Sequence, residues 1–317
     1  MGPQRRLRRL GAHLGSSSSS SSSAPALHGV VGLGQPRGRV VVNCAEHAFL
    51  THDDARYHEF PFRTDKSYHT GLRGTPQNSM EHLLADMRTY SVDKLVISHV
   101  VYYGDDNSYT AHCIKAHPQK FTGVGLLVGD GMLDAADPSV PGILEKLVVE
   151  DGLSGLRLSP IYNQQQAWLN SPGSYPLWAK AQELGAVLHI YCVCAQLSQV
   201  ADMAARFPGV KLVIDHFAEP DISRPASEGI DLLCALAVHP NIFIRTSLHN
   251  PSLEPMPFRD MWPLLRQVYD AFGAKRMLYG NFYEYLIMAD LIPFFSEEDK
   301  DWVLGKTALS IYKWQQE

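Results

Sequence analysis

The chain has 317 residues, 45% of them hydrophobic and 19% charged, with a formal net charge of −5, which is enough for one large core or two modest domains. Slight acidity with no dense Lys/Arg tract in the body of the chain excludes nucleic acid and anionic membranes as main partners, because both need a concentrated basic face. The longest apolar run, near residues 184–195, contains His189 and is shorter than the ~20 residues a membrane span requires.

Residues 1–38 carry Arg5, Arg6, Arg8, Arg9 and Arg37, an unbroken serine run from Ser16 to Ser23, and no acid; the first acidic residue is Glu46. This composition cannot form a core, and it matches an organelle transit peptide, which points to a plastid or mitochondrion. A disordered tail on a cytoplasmic protein, or a translated repetitive serine-coding tract, is the alternative. Five cysteines, Cys44, Cys113, Cys192, Cys194 and Cys234, are sparse and mostly set in apolar runs, so buried thiols fit better than a disulfide framework.

The fold begins at Val40-Val41-Val42-Asn43-Cys44-Ala45-Glu46-His47-Ala48-Phe49, a β-branched run that breaks into polar residues and a histidine. It reads as a buried strand whose C-terminal end reaches a site. A polar stretch with Tyr57, Phe60, Phe62 and Tyr68 follows over residues 51–78, long enough to be a lid or binding loop. Helical spacing then covers 79–90, 109–117, 141–149, 175–184, 197–207, 229–237 and 258–272. Between them, strand patterns cover 94–101, 122–128, 153–158, 186–192, 210–215, 241–246 and 276–280, and one or two more helices close the chain near Lys313. Eight strands alternating with helices predict a single (β/α)8 TIM barrel over residues 39–317. An open doubly wound sheet normally has a glycine-rich turn after its first strand, and Ala45-Glu46-His47 is not one.

In such a barrel, chemistry sits at the strand C-termini. Those ends offer Ala45 and His47, Arg157, His189 and Tyr191, Asp215 and His216, and Asn281, Phe282 and Glu284. Imidazoles converging there suit zinc, which polarises a carbonyl and lowers the pKa of bound water, but a catalytic zinc usually takes three protein ligands. Each residue also has a plainer reading. Core packing accounts for His189 and Tyr191, and a solvated loop carboxylate accounts for Glu284. Arg157 either pairs with Asp215 or Glu46 or binds a substrate carboxylate.

The residues Val41-Val42-Asn43-Cys44-Ala45-Glu46-His47, Lys120-Phe121-Thr122-Gly123-Val124-Gly125, Gly155-Leu156-Arg157-Leu158, the run from Tyr175 to Leu188, Val213-Ile214-Asp215-His216 and Ala274-Lys275-Arg276-Met277-Leu278-Tyr279-Gly280 resemble the amidohydrolase-related metal-dependent hydrolases, from about Arg39 to near the C-terminus. That group includes aromatic-acid decarboxylases and sugar or pyrone lactonases. Its pattern is Asp-x-His-x-His on strand 1, one histidine each on strands 5 and 6, and Gly-Ser/Thr-Asp on strand 8. His47 and His216 match, whereas Ala45, Tyr191 and Phe282 stand where the pattern has a histidine, a histidine and the catalytic aspartate.

The resemblance therefore implies a hydrolase acting on a small cyclic carbonyl compound, a lactone or amide, with metal use weakened or lost. A divalent metal, zinc first, would sit on His47 and His216, or none is used. His47, His216 and Glu284 are the expected catalytic residues, and Arg157, Tyr191 and His189 the expected substrate contacts. A small-molecule substrate is the expected partner, with a homodimer left open. A catalytically inactive relative that binds a ligand or a partner protein, and a decarboxylase of a small aromatic or unsaturated acid, are the alternatives.

Overall fold

A computed structural model of the chain describes residues 38–63, 77–127, 135–164 and 168–314. Nearly all of the 1–38 segment, and residues 64–76 of the long excursion, lie outside the described residues. Eight parallel strands follow one another around a single sheet in chain order: β1 (Val42–Glu46), β2 (Lys94–Ser98), β3 (Phe121–Leu127), β4 (Gly155–Leu158), β5 (Val187–Ile190), β6 (Lys211–Ile214), β7 (Ile242–Thr246) and β8 (Met277–Tyr279). Helices α1 (Met80–Thr89), α2 (Ser108–Ala116), α3 (Val140–Val149), α4 (Tyr175–Leu184), α5 (Leu197–Arg206), α6 (Ile230–Ala235) and α7 (Trp262–Phe272) alternate with them. This is the (β/α)8 barrel that the alternation predicts.

The strands are buried on both faces, which explains why they read as continuous apolar runs. The helices bury one stripe each, as Leu197, Val200, Met203 and Ala204 do on α5, and Leu264, Leu265, Val268 and Phe272 on α7. Helix α7 starts at Trp262, four residues later than the spacing predicts. Pro263 lies in its first turn, where a missing N–H costs nothing, and Phe258 upstream adopts a left-handed φ of 55° that no helix accepts. At the other end of α4, Gly185 takes φ 60° to end the helix, a conformation that suits a residue without Cβ.

Two features close the barrel. At the mouth, the ends of β1 and β8 are stitched by side chains: Asn43 Oδ1 accepts from the Asn281 amide at 3.0 Å and Glu46 Oε1 from the Phe282 amide at 3.1 Å. Here the chains run so close that a Cβ on Gly280 would lie 2.3 Å from the Ala45 Cβ. At the floor, α8 (Glu297–Asp301) and α9 (Thr307–Ile311), joined by a wider π turn, bring Ala308, Ile311 and Tyr312 against Val42, Val96, Val124, Val187, Val213 and Leu278. Lys211 at the start of β6 donates to the carbonyls of Ser310 and Ile311, and the Lys313 amide donates to Ser154 just before β4, so the tail plugs the N-terminal end of the strands.

The excursion after β1 is pinned at its base by a two-way amide pairing of Phe49 with Asn78. Its described part packs Phe60 and Phe62 against Tyr102, Tyr103 and Tyr109. None of the described helices is long and apolar enough to cross a membrane.

Candidate active site

The interior of the barrel changes from apolar to charged one layer above the floor. Strands β4, β5 and β7 contribute Arg157, His189 and Arg245, and Asp215 directly follows β6, all of them buried. Asp215 stands at the centre. Its Oδ2 takes Arg157 Nε at 2.7 Å and Arg245 Nη2 at 3.2 Å, and its Oδ1 takes His189 Nδ1 at 3.1 Å. Burial alone would raise the pKa of this carboxyl, but the two guanidiniums outweigh it and hold the group ionised well below the usual carboxylate range. Arg157 pairs with Asp215 rather than with Glu46, which instead binds Asn43 and the Phe282 amide.

His189, expected as a substrate contact, spends both ring nitrogens inside the protein. It is wholly buried, its Nδ1 donates to Asp215, and its Nε2 accepts from the Tyr312 hydroxyl at 2.7 Å, so neither nitrogen is left over. Tyr191 lies beneath the Arg157 guanidinium, 4.2 Å from ring centroid to Cζ, and meets His216 edge-on at 5.4 Å. Such a ring face supports the cation that is already there.

His47 follows β1 and donates from Nδ1 to the Ser98 carbonyl at 2.7 Å, which fixes the lone pair on Nε2. Burial and the nearby Arg157 lower its pKa to about 4. His216 leaves β6 in a left-handed turn: His216, Phe217, Ala218 and Glu219 have φ of 51°, 55°, 59° and 48°. Each such residue costs about 1–2 kcal/mol. The turn is held by Cys194 Sγ on the Ala218 carbonyl and by Asn250 on Glu219. It delivers His216 Nε2 to Arg245 Nη2 at 2.8 Å. Burial first, then Arg245, keep this imidazole neutral.

A divalent metal is what the resemblance implies, and the donors do not fit one. Ala45 faces Gly280, Phe282 stacks on Tyr90 at 5.5 Å, and the lone pair of His216 is taken by a guanidinium. Among the described residues no group of three His, Cys, Asp or Glu side chains could hold a metal ion.

Glu284 is not the solvated loop carboxylate that its aromatic neighbours suggest. It is wholly buried, and its Oε1 accepts from the backbone amide of His249 at 3.1 Å and from His249 Nδ1 at 2.8 Å. The His249 ring lies 6.4 Å from that of His216. Sequence reasoning passed over His249, which sits in the loop after β7 with no motif around it. Arg245 was also missed; a charge inside the apolar run Ile242–Thr246 is the signal that could have found it.

The sequence model of the amidohydrolase family matches residues 51–314. A curated relative, the L-fucono-1,5-lactonase of Burkholderia ambifaria, is 26% identical over 153 residues, 48% of this chain and 53% of that one, so the match spans about half the length of the relative. The crystal structure of a probable 2-pyrone-4,6-dicarboxylic acid hydrolase from Acinetobacter baumannii with citric acid bound superposes with a TM-score of 0.70 at 13% identity, over 86% of this chain and 98% of that one. An amidohydrolase from Burkholderia multivorans with bound zinc gives 0.68 at 16% identity, over 87% and 100%. At these identities the two structures speak for the fold.

Proposed function

Taking as premise that this chain belongs to the amidohydrolase family, we propose that it is a hydrolase that opens a small lactone bearing a carboxylate. The observation that carries this reading is the charge balance around Asp215, where two buried guanidiniums share one carboxylate. His189 beside them is held neutral by burial, so it adds no charge of its own. A buried cation without its own counter-ion is costly, and an anionic ligand removes that cost. Arg157 is the cation in position to meet it: its Nε is spent on Asp215, while its two terminal nitrogens make no hydrogen bond among the described residues. A guanidinium fork takes a carboxylate in two parallel bonds. The same positive charge favours the oxyanion that forms when water adds to an ester carbonyl. The name of the pyrone dicarboxylic acid hydrolase agrees with an anionic substrate, and the curated lactonase with the bond cleaved.

The test is a panel of carboxylated lactones, their neutral counterparts and small aromatic acids, with products followed by NMR. Hydroxy-acid formation from the carboxylated lactones alone is the expected result, and release of carbon dioxide from the acids with no lactone opening overturns it in favour of a decarboxylase. A second reading rests on Ala45 and Phe282, which remove two of the family's working groups: the chain binds its ligand without turning it over. Carboxylate binding by calorimetry with no product from any compound would establish that reading.

A further inference from the structure

His249 and Glu284 form a pair that the family pattern does not contain. Resting on the hydrolase reading above, we propose that His249 is the catalytic base of this site and that Glu284 is the residue that positions it, doing the work that an aspartate at position 282 would otherwise do. Three observations lead there. First, the geometry fixes the tautomer. Two groups meet Nδ1, Glu284 Oε1 at 2.8 Å and the Asn281 side-chain nitrogen at 3.2 Å; a carboxylate only accepts, and the shorter, charge-assisted contact places the proton on Nδ1 and leaves the lone pair on Nε2. The backbone amide of His249 donates to the same oxygen at 3.1 Å, which locks the loop as well as the ring. Second, the burial is graded in the right direction. The Glu284 side chain is 0% exposed and that of His249 18%, so the carboxylate is sheltered and the imidazole faces outward.

Third, the other histidines at the mouth are otherwise engaged. His189 has both nitrogens bonded within the protein, and His216 gives Nε2 to Arg245. His99 is wholly buried with Nδ1 on Thr110. Among the described residues His47 keeps Nε2 without a partner, but burial first and then the field of Arg157 oppose its taking up a proton. His249 is placed to act with them. Its ring meets His216 edge-on at 6.4 Å, His216 meets Tyr191 at 5.4 Å, and Tyr191 lies under Arg157, so one line of contacts joins base and carboxylate-binding cation.

The step balances with water as the only co-reactant. Water oxygen bonds to the acyl carbon, one water proton passes to His249 Nε2, and the carbonyl π pair moves onto oxygen. The C=O then re-forms, the ring C–O bond breaks with its electron pair leaving on the ring oxygen, and that oxygen takes the proton back from Nε2. The product is an open-chain hydroxy acid, and the imidazole is neutral again.

The experiment uses the full chain with the best carboxylated lactone from the panel. His249→Asn keeps a side-chain donor toward Glu284 and lacks the base, so kcat falls about 10²–10⁴-fold with KM nearly unchanged. His249→Ala falls similarly and recovers in part when imidazole is added to the assay. Glu284→Gln lowers kcat and not KM. Unchanged kcat in His249→Asn, with the wild type active, overturns the base and leaves the hydrolase reading standing. Loss in His249→Ala without any imidazole rescue, accompanied by a lowered melting temperature, also overturns it. A wild type inactive on every lactone removes both.

Discussion

Arg245 donates from Nη2 to Nε2 of His216 at 2.8 Å, so the ring lone pair that a metal would need is already taken. A divalent ion there would have to displace that N–H and sit against a guanidinium. Charges of +2 and +1 about 4 Å apart repel by about 8 kcal/mol at an effective dielectric of about 20. Purified chain is therefore expected to carry no stoichiometric zinc, and prolonged chelation to leave its turnover and melting temperature unchanged. Elemental analysis with assays before and after chelator checks this, and activity restored by zinc alone would contradict it.

Arg157 is expected to decide affinity for anionic ligands. Arg157→Gln keeps a donor near Asp215 but loses the charge and the bidentate fork. A charge-assisted hydrogen bond contributes about 1.5–3 kcal/mol, so carboxylate affinity should fall roughly 10- to 100-fold. Calorimetry with a carboxylated product measures this. Equal loss of affinity for a neutral lactone would mean that the substitution had merely disturbed the pocket.

Asp215 balances two guanidiniums, and Asp215→Asn leaves both buried without a counter-charge. Breaking a buried pair from one side costs about 3–5 kcal/mol. Urea denaturation should show a loss of that size; a loss below about 1 kcal/mol would mean that another anion neutralises Arg157 and Arg245.

The Tyr312 hydroxyl ties the barrel floor to the charged layer through His189. Tyr312→Phe leaves His189 Nε2 buried without a donor, at a cost of about 1–3 kcal/mol. The midpoint of urea unfolding reads this directly, and an unchanged midpoint would rule out the bond as a stabilising contact.

Stability should fall as the solution is acidified from about pH 6.5 to 4. Burial lowers His47 and His99 to about 4, below the ~6.5 of an unfolded histidine, so in that window the unfolded chain binds protons that the folded chain refuses. Glu46 opposes this. Burial raises its carboxyl to about 7, so between about pH 4.5 and 7 the folded chain holds a proton that the unfolded chain releases, and stability falls as pH rises through that range. Glu46→Gln retains an acceptor for Asn43 and the Phe282 amide and removes the titration. Its melting temperature should exceed that of the wild type at pH 8, and thermal scans across pH give the comparison.

The barrel was legible because its signal is local. A strand buried on both faces must be apolar along its length, as in Val187–Ile190, and a helix lying on it must repeat its apolar stripe every turn, as α5 does. His47, Arg157, Asp215 and His216 were legible for a related reason: each ends an apolar run, where a polar side chain requires an explanation. The boundaries were less so, since after Asp215 the chain leaves β6 in a left-handed turn through His216, Phe217, Ala218 and Glu219 that none of these residues announces.

By itself, then, the sequence determined eight strands, their order and the side chains that gather at one end. Only the tertiary structure decided which of them face each other. Arg157 meets Asp215 across 58 residues, Arg245 reaches the Cys44 carbonyl across 201, and Glu284 turns back to His249 across 35. Spacing along a strand says which face a residue takes, but a hydrogen bond needs two groups within about 3 Å, and that separation is set by the closure of the barrel. For this reason Glu284, read from the chain as either a solvated loop acid or a catalytic one, lies buried behind an imidazole, and His216, read as a metal ligand, has given its lone pair to an arginine.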